Sequence, residues 1–321
     1  MSPSIDVVIV AHGRYELTDS CLRHLAAQSL DHRVVLVDND SPDETRRRVA
    51  EDWPRVELLA FERNRGFTAA CNAGAASGEG EVIVLLNNDV DCRRDFLERL
   101  VAPLREDQRT GSVAAVMLQP GEELIDSAGL TADRTLAGFP RMHGMGVGHA
   151  GDERPLLLGP AGTAAAYRRA AWDEAEGLDE AIFAYMEDFD LALRLRSAGW
   201  ATALASDARG VHAGSATFGH RSAVQRRMGG FSRGYMLRRY GVLRGRSAVR
   251  ALATETAVML GDAAISRDLA ATRGRLAGWR AARGLPRRPV PPAEALDATI
   301  GLRDSLALRR GVYARSDRGR R

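Results

Sequence analysis

The chain of 321 residues contains no lysine, only three cysteines and no long apolar run. Because no stretch of about 18 residues is predominantly apolar, we expect no membrane-spanning helix. Residues 1–6 carry neither a basic segment nor a long apolar segment, so we expect no signal peptide. Cys21, Cys71 and Cys92 are odd in number and lack the spacing of a metal site. This cysteine usage favours reduced thiols in a cytosolic protein.

The basic charge, all of it arginine, is distributed unevenly along the chain. Residues 1–212 hold 22 arginines and 35 acidic residues, a net charge of −13. Residues 213–321 hold 23 arginines and 7 acidic residues, a net charge of +16. This asymmetry indicates two regions with different partners. The acidic region suits a metal site, and the basic region suits a phosphate-bearing or anionic surface.

Apolar segments alternate with helical segments through the first part of the chain. The predicted strands are Ile5–Val10, Arg33–Asp38, Val56–Ala60 and Val82–Leu86, with helices between them at residues 16–28, 43–51 and 69–76. This alternation predicts a parallel, doubly wound sheet. Residues 189–198 and 222–283 are predicted to be helical, residues 201–205 to form a further strand, and residues from 309 onward to be frayed.

The strand Val82–Leu86 ends abruptly in Asn87, Asn88 and Asp89. Open α/β sheets bind ligands at the carboxyl ends of their strands. Asn87 and Asp89 can both offer oxygen ligands to a hard divalent cation across a tight turn, and such a cation can hold a diphosphate. The alternative is an ordinary strand-to-loop turn, where Asn and Asp are common.

Two further clusters follow the second and third strands. Asp38 can accept the N3 hydrogen of a uracil or thymine ring, or it can simply cap the next helix. Arg63 or Arg65 can meet a phosphate or the nucleoside, and Gly66 permits close approach of the backbone. The alternative for this second cluster is a solvated loop.

The second half of the chain contributes acidic residues and a histidine. Glu187, Asp188 and Asp190 open a helix, where an aspartate can cap the helix or act as a general base. His212 follows a predicted strand and can be a third metal ligand or a hydrogen-bonded structural residue.

Together these clusters resemble the family 2 glycosyltransferases, which are inverting enzymes with the GT-A fold. The resemblance covers about residues 4–245 and rests on Val7–Val10, Val37–Ser41, Asn64–Phe67, Asn72, Leu86–Val90, Gly159–Thr163, Glu187–Leu191 with Arg194, and His212. The metal motif in the form Asn87-Asn88-Asp89 is similar to that of the bacterial rhamnosyltransferase-like branch.

The resemblance implies a fold and a set of roles. It implies an α/β, GT-A type nucleotide-binding fold with a mostly parallel central sheet flanked by helices in residues 1–220, divided into a nucleotide-sugar half (about 1–110) and an acceptor half (about 111–220), followed by a basic helical extension, 221–321. Asp188 would be the catalytic base, with Asp190 or Glu187 as the alternatives. A divalent metal, Mg²⁺ or Mn²⁺, would be held by Asp89, Asn87 and His212. The nucleotide-sugar-binding residues would be Asp38, Asn64, Arg65, Asn72, Asn88 and Gly162.

The implied reaction is the transfer of rhamnose or another hexose, with inversion, in cell-wall or polysaccharide biosynthesis. The donor would be a dTDP- or UDP-sugar, and the acceptor a hydroxyl of a cell-surface glycan or a lipid-linked molecule. A sugar nucleotidylyltransferase is one alternative, but it would show a Gly-rich, Lys-bearing loop where this chain has only His12-Gly13-Arg14. A non-catalytic nucleotide-sugar-binding homologue is another, although Asp89, Asp188 and His212 are all present.

The basic C-terminal region could contact either a membrane or a protein surface. Its helices could lie on an anionic membrane, so that a cytoplasmic enzyme would reach polyprenyl-linked acceptors at the inner face. Alternatively, they could pack on the catalytic domain or on a second subunit, giving a homodimer. Nucleic acid is not an expected partner, because the region has few aromatic residues for stacking and no recognised binding motif.

Overall fold

The computed structural model describes residues 3–214 and 222–309. Within these ranges, the chain forms a mixed sheet flanked by helices, followed by a group of C-terminal helices. The strands are β1 (Ile5–Ala11), β2 (Arg33–Asn39), β3 (Glu57–Phe61), β4 (Val82–Asn87), β5 (Val90–Cys92), β6 (Thr110–Leu118), β7 (Ile125–Ser127), β8 (Leu130–Ala132), β9 (Gly138–Pro140), β10 (Ala164–Arg168) and β11 (Ala201–His212). The helices are α1 (Tyr15–Ala26), α2 (Thr45–Asp52), α3 (Phe67–Ala76), α4 (Phe96–Glu106), α5 (Arg169–Glu174), α6 (Glu187–Ser197), α7 (Ala223–Arg239), α8 (Ala248–Ser266), α9 (Ala270–Ala281) and α10 (Leu302–Leu308).

The first half of the sheet is parallel, in the order β3-β2-β1-β4. Its central strands are runs of Val, Ile and Leu that are buried on both faces, as parallel strands covered by helices require. The register places Asp38 beside Ala11 and Asn87 beside Val10, so the polar strand ends meet at one edge. Every strand and helix predicted between residues 5 and 86 is confirmed, with bounds shifted by a few residues at most.

The second half of the sheet is mixed rather than parallel throughout. β10 lies between β4 and β6 and runs antiparallel to both, while β11 pairs parallel with β6 and antiparallel with β5. Because β10 runs opposite to β4, its first residue, Ala164, lies beside Leu86 near the end of β4. The loop that precedes β10 is therefore delivered to the same edge as Asn87, whose N–H donates to the Thr163 carbonyl.

The C-terminal helices pack closely onto the sheet region. Leu237 and Tyr240 share a hydrophobic cluster with Phe189 and Leu193 of α6, and Ala251 of α8 joins the same cluster. The predicted boundary between a catalytic domain, 1–220, and an extension, 221–321, stays a prediction. The prediction of frayed residues concerns positions that lie almost entirely outside the described part of the chain. In the described ranges, no helix is both long enough and apolar enough to cross a bilayer.

Much of the arginine in this region is used inside the protein. Arg233 is buried and its guanidinium donates to Glu255 at 2.8 Å, and Glu255 also pairs with Arg275 and Arg309. Together the three arginines lower the pKa of Glu255 to about 2 even though burial opposes that shift. Part of the strong positive charge is therefore neutralised in ion pairs inside the protein.

Helices α7 and α9 approach each other through glycines. A Cβ atom built on Gly278 would lie 1.9 Å from the Phe231 carbonyl oxygen, and one on Gly234 would lie 2.0 Å from the Arg275 carbonyl oxygen. Both obstacles are backbone atoms, which cannot rotate out of the way. The contact therefore requires glycine for its close approach and not for an unusual backbone angle.

We expect Gly278→Ala to force the two helices apart and to lower the free energy of unfolding by about 1–3 kcal/mol, the usual cost of overpacking. Gly261→Ala is the matched control, since Gly261 lies in α8 with no atom within 4 Å of a built Cβ. That variant should be as stable as the parent or up to about 1 kcal/mol more stable, because alanine favours helix. Urea unfolding measures both. Equal stability of the two variants would contradict the packing described here.

Candidate active site

A cleft of about 310 Å³ opens at the carboxyl ends of β1, β2 and β4. The predicted site residues in its lining are Asn64, Asn87, Asn88, Asp89, Gly162, Asp188 and His212. Residues from widely separated parts of the sequence thus share one hollow. Asp38, Arg65 and Asn72 lie outside the lining.

Asp89 and His212 lie next to each other on one wall of this cleft. Their neighbours are joined by strand pairing, since Val90 lies opposite His212 and the Ala213 N–H donates to the Asp89 carbonyl at 3.0 Å. Asp89 Oδ1 is buried, lies 3.4 Å from His212 Nε2 and forms no closer contact with a donor of the described residues. A buried carboxylate oxygen without a hydrogen bond can accept one from a ligand or can coordinate a cation.

Asp126 holds the other side of the imidazole. His212 Nδ1 lies 2.9 Å from Asp126 Oδ2, and His143 Nδ1 lies 3.5 Å from Asp126 Oδ1. Burial disfavours the charged forms, but the flanking carboxylates raise the pKa of His212 to about 10. The same two histidines overcome burial at Asp126 and hold the pKa of that carboxyl well below its usual range.

The donor set suits a divalent cation that shares its coordination with a substrate. Asp89 and Asn87 supply oxygen, and a histidine whose far nitrogen meets a carboxylate is the usual arrangement of a metal-binding imidazole. Among the described residues, no three histidine, cysteine, aspartate or glutamate side chains form a metal cluster. Mg²⁺ and Mn²⁺ sites that complete their shell with phosphate oxygens and water need only one or two carboxylates. His212 must release its Nε2 proton before it can serve as a ligand.

The opposite wall of the cleft begins with a strained turn. Tyr185 and Met186 have φ of 68° and 69°, in the left-handed region that side chains other than glycine rarely adopt. Such residues cost on the order of 1 kcal/mol or more each, and they cluster at functional sites. The turn ends where α6 begins, and both Glu187 and Asp188 contribute to the cleft lining.

Glu187 and Asp188 form a coupled carboxyl pair. Asp188 Oδ2 accepts the Gly162 N–H at 2.8 Å and Oδ1 accepts the Phe189 N–H at 2.6 Å. Glu187 Oε2 is buried and accepts no hydrogen bond from the described residues. Burial and then the charge of Asp188 raise the pKa of Glu187 to about 8, while burial raises the pKa of Asp188 against the pull of its two backbone donors. Near neutral pH, Glu187 therefore carries the proton of the pair, and Asp188 is the ionised member.

Asp190, an alternative candidate for the base, is fully buried and already paired. Its Oδ2 accepts from Arg194 at 2.8 Å, and its Oδ1 accepts from Arg288 at 2.6 Å and from the Tyr240 hydroxyl at 2.9 Å. These contacts anchor α6 to the C-terminal segment. The alternative assignment of Asp190 as base has no geometric support.

The end of β2 supplies polar groups to the nucleotide side of the edge. Asp38 is 1% exposed, its Oδ1 accepts the Ser41 N–H at 3.3 Å, and its Oδ2 accepts no hydrogen bond from the described residues. Asn39 donates to Asn64 Oδ1 and to the Gly66 carbonyl, and it accepts the Arg65 N–H. The amide of Asn39 thus fastens the loop after β3 to the end of β2.

Three predicted binding residues have other contacts in the structure. The Arg65 guanidinium lies over the Phe61 ring, 4.6 Å from its centroid, and neither residue is part of the cleft lining. The Asn72 amide bridges the Leu178 backbone and Glu180 and thereby supports a loop rather than lining the cleft. Asn88 does line the cleft, but its amide donates to Thr18 Oγ1 at 2.9 Å.

Several residues of the site were not assigned a role from the sequence. They are His12, Asn39, Asp126 and Tyr185. His12 and Asn39 directly follow or end strands of the parallel half, and this position was a usable signal. Asp126 lies in the irregular middle of the chain, where no periodicity announces the β6–β7 pairing that brings it to His212.

Comparison with known proteins adds sequence and structural relatives. Residues 6–174 match the family model described as glycosyl transferase family 2. Over 237 residues the chain is 27% identical to an N-acetylglucosaminyl-diphospho-decaprenol L-rhamnosyltransferase of Mycobacterium tuberculosis, which covers 64% of this chain and 76% of that protein. Over 104 residues it is 36% identical to the succinoglycan biosynthesis protein ExoO of Rhizobium meliloti, covering 31% and 29% of the two chains.

Two solved structures share the fold. The mannosyltransferase PcManGT from Pyrobaculum calidifontis, in complex with GDP-Man and Mn²⁺, aligns with a TM-score of 0.55 and 20% identity over 88% of this chain and 76% of that chain. GalNAc-T7 with UDP, GalNAc and Mn²⁺ aligns with a TM-score of 0.58 and 16% identity over 74% of this chain and 48% of that chain. The GT-A fold expected from the sequence is confirmed.

The carboxyl pair predicts a pH-dependent stability. Folding raises the pKa of Glu187 from 4.5 to about 8. The contribution of the protonated Glu187 to the free energy of unfolding is therefore fully present below pH 4.5 and is lost as the pH rises toward 8. The loss amounts to about 1.4 kcal/mol per pH unit in that window. Glu187→Gln removes the titration, so its free energy of unfolding should exceed that of the parent by a margin that grows from pH 5 to pH 8.

Chemical unfolding at several pH values measures this margin. Glu153→Gln, which changes an exposed glutamate in the same way, should show a margin that does not grow with pH. Parallel stability curves for the parent and Glu187→Gln would show that Glu187 ionises freely in the folded state.

Proposed function

Since the chain belongs to glycosyl transferase family 2, we propose that it is an inverting, metal-dependent hexosyltransferase with Asp188 as its base. The chain is a GT-A glycosyltransferase that uses a nucleotide sugar. The observation that carries the finer proposal is a shared cleft: Asp89 and His212 line it together with Asp188. A leaving diphosphate on one side and an attacking hydroxyl on the other need that arrangement.

The donor is a dTDP- or UDP-sugar. Uracil and thymine both offer a ring N–H, and the buried Asp38 Oδ2, which accepts no hydrogen bond from the described residues, suits that donor. Asn64, held by Asn39, and Asn88 lie where the sugar nucleotide would pass. Membership of this family leaves no support for the sugar nucleotidylyltransferase alternative.

Asp89, Asn87 and His212 would hold Mg²⁺ or Mn²⁺. Both structural neighbours were crystallised with Mn²⁺. When bound, the cation neutralises the charge that develops on the departing nucleoside diphosphate. Asp126 orients the His212 ring by accepting from Nδ1, which directs Nε2 toward Asp89.

Asp188 removes the proton of the acceptor. At neutral pH Glu187 holds a proton, so Asp188 remains ionised, and the Gly162 N–H fixes one of its oxygens. The acceptor oxygen gives its proton to Asp188 and attacks the anomeric carbon from the face opposite the nucleotide. The bond from that carbon to the diphosphate oxygen breaks with its electron pair, and one displacement inverts the configuration without an enzyme nucleophile.

The acceptor is a hydroxyl of a cell-surface glycan or of a polyprenyl-linked sugar, and the enzyme acts at the cytoplasmic face of the membrane. The mycobacterial relative is named as a rhamnosyltransferase that acts on N-acetylglucosaminyl-diphospho-decaprenol. This name supports rhamnose as the transferred sugar and a lipid-linked molecule as the acceptor. A homodimer stays a prediction.

A donor screen tests the proposal. The parent protein is incubated with dTDP- or UDP-sugars, an N-acetylglucosaminyl-diphospho-polyprenol and Mg²⁺ or Mn²⁺, and the released nucleoside diphosphate is measured. Asp188→Asn should lower turnover at least ~10²-fold, because a general base contributes ~10²–10⁴ in rate, and should bind nucleotide as the parent does.

Asp173→Asn is the matched control, since Asp173 lies exposed on α5, and it should retain full turnover. The product of the parent, analysed by NMR, should have the anomeric configuration opposite to that of the donor. Near-normal turnover in Asp188→Asn would remove Asp188 from the mechanism, and a retained configuration would exclude the single displacement.

The metal assignment predicts a second loss. Asp89→Ala should abolish the Mn²⁺-dependent part of nucleoside diphosphate affinity, because it removes the carboxylate with the free buried oxygen. Asp91→Ala, which removes a carboxylate two residues away and outside the cleft lining, should keep that part. Calorimetry with and without Mn²⁺ measures both. Equal gains from Mn²⁺ in Asp89→Ala and the parent would contradict the assignment.

A further inference from the structure

Helix α8 presents an apolar face to solvent. Val249 is 83% exposed, Leu260 is 67% exposed and Leu252 is 58% exposed. Isolated exposed leucines are ordinary, but a continuous stripe of them is not. This stripe lies on a helix that is otherwise well anchored, because Ala251 and Thr254 on its other side are buried.

Seven exposed residues of α8 share one side of the helix, while Ile265 near its end is exposed on another side. A helix turns about 100° per residue, so these positions fall within an arc of roughly 140°. The residues of this arc, called here the α8 stripe, are Val249, Leu252, Ala253, Thr256, Ala257, Leu260 and Ala264. None of these positions carries a charged side chain, so the stripe has the composition of a surface that becomes buried in an interface.

The exposed charges at the two ends of α8 have one sign. The acidic residues of α8 and of the turn that follows are already paired: Glu255 with Arg233, and both Asp262 and Asp268 with Arg226. In contrast, Arg246 and Arg267 are exposed at the two ends of α8. An apolar stripe with a cationic rim results.

We propose that the α8 stripe and its arginine rim form a docking surface for an anionic lipid bilayer. An interfacial helix buries an apolar face at the acyl boundary while its arginines meet the lipid phosphates. A second copy of the chain fits less well, because a two-fold interface is built from the same patch twice. It would bring the arginines at the ends of both stripes together, with no unpaired acid of α8 to meet them.

The docking surface is joined rigidly to the catalytic part of the molecule. Ala251 belongs to the cluster that includes Phe189 and Leu193 of α6, the helix that begins at the carboxyl pair. A bilayer held by α8 would therefore hold the cleft at a set distance and tilt. The proposal extends beyond sugar transfer, since lipid binding does not require catalysis.

Vesicle flotation of the full chain tests the proposal. The parent should float with vesicles of phosphatidylcholine mixed with phosphatidylglycerol and much less with phosphatidylcholine alone. Leu252→Gln/Leu260→Gln should lower the partition coefficient on the mixed vesicles at least about tenfold, because two apolar side chains no longer enter the bilayer. Arg246→Gln/Arg267→Gln should lower it about fivefold per arginine on the mixed vesicles only.

The control is Leu124→Gln, which replaces an exposed leucine outside α8 and should float like the parent. Thermal unfolding and nucleotide affinity should be unchanged in every variant, because none of these side chains lies in the cleft lining. This readout separates a failure of the docking proposal from a failure of the proposed reaction.

Equal flotation of the parent and the double leucine variant would overturn the proposal. So would a parent that stays with neither kind of vesicle. A parent that sediments as a dimer, together with a monomeric leucine variant, would assign the stripe to a second copy of the chain instead.

Discussion

The antiparallel pairing of β5 with the end of β11 is the contact on which the cleft depends. β11 runs parallel to β6 for most of its length and then extends to place His212 opposite Val90. Without that extension, His212 would not reach Asp89, and this wall of the cleft would consist only of the turn after β4. β5 can offer itself for this pairing because the chain reverses directly after Asn87. A three-residue strand thus converts a common turn into one wall of the cleft.

The other half of the cleft is held by groups that cost stability. Tyr185 and Met186 adopt left-handed backbone angles, and Glu187 and Asp188 bring two carboxyl groups into a buried space. The ion pairs behind α6 offset this cost, since Arg288 binds both Asp190 and Asp179. Arg288 belongs to the basic C-terminal region. That region therefore has at least two kinds of arginine. Some stabilise α6 from within, and others remain at the surface around α8.

Features that depend on neighbouring residues in the sequence could be predicted, and features that depend on contacts between distant parts of the chain could not. The strands of the parallel half follow from local runs of Val, Ile and Leu, and the polar residues after them necessarily share one edge, so Asn87, Asp89 and Asp38 could be placed together. The reversal of β10 could not be read, because it depends on which strands lie beside it. Asp126 was missed for the same reason. Asp188 and Asp190 are also indistinguishable in sequence, since both open α6, and only the long-range contacts from Arg288 and Tyr240 show that Asp190 is enclosed.

Each wall of the cleft has one protonated side chain, His212 on the first wall and Glu187 on the second. On one wall, His212 is protonated between Asp89 and Asp126, and a cation at Asp89 must displace that proton. On the other wall, the proton of the carboxyl pair stays on Glu187, which leaves Asp188 free to accept one. The two arrangements have the same cause, because burial of acidic groups favours their neutralisation by a proton or a nearby positive charge. In the proposed reaction, Asp89 and His212 would hold the cation once His212 has lost its Nε2 proton, whereas Asp188 would need no change of protonation before the acceptor arrives. The proposed base, Asp188, is therefore the ionised member of its pair.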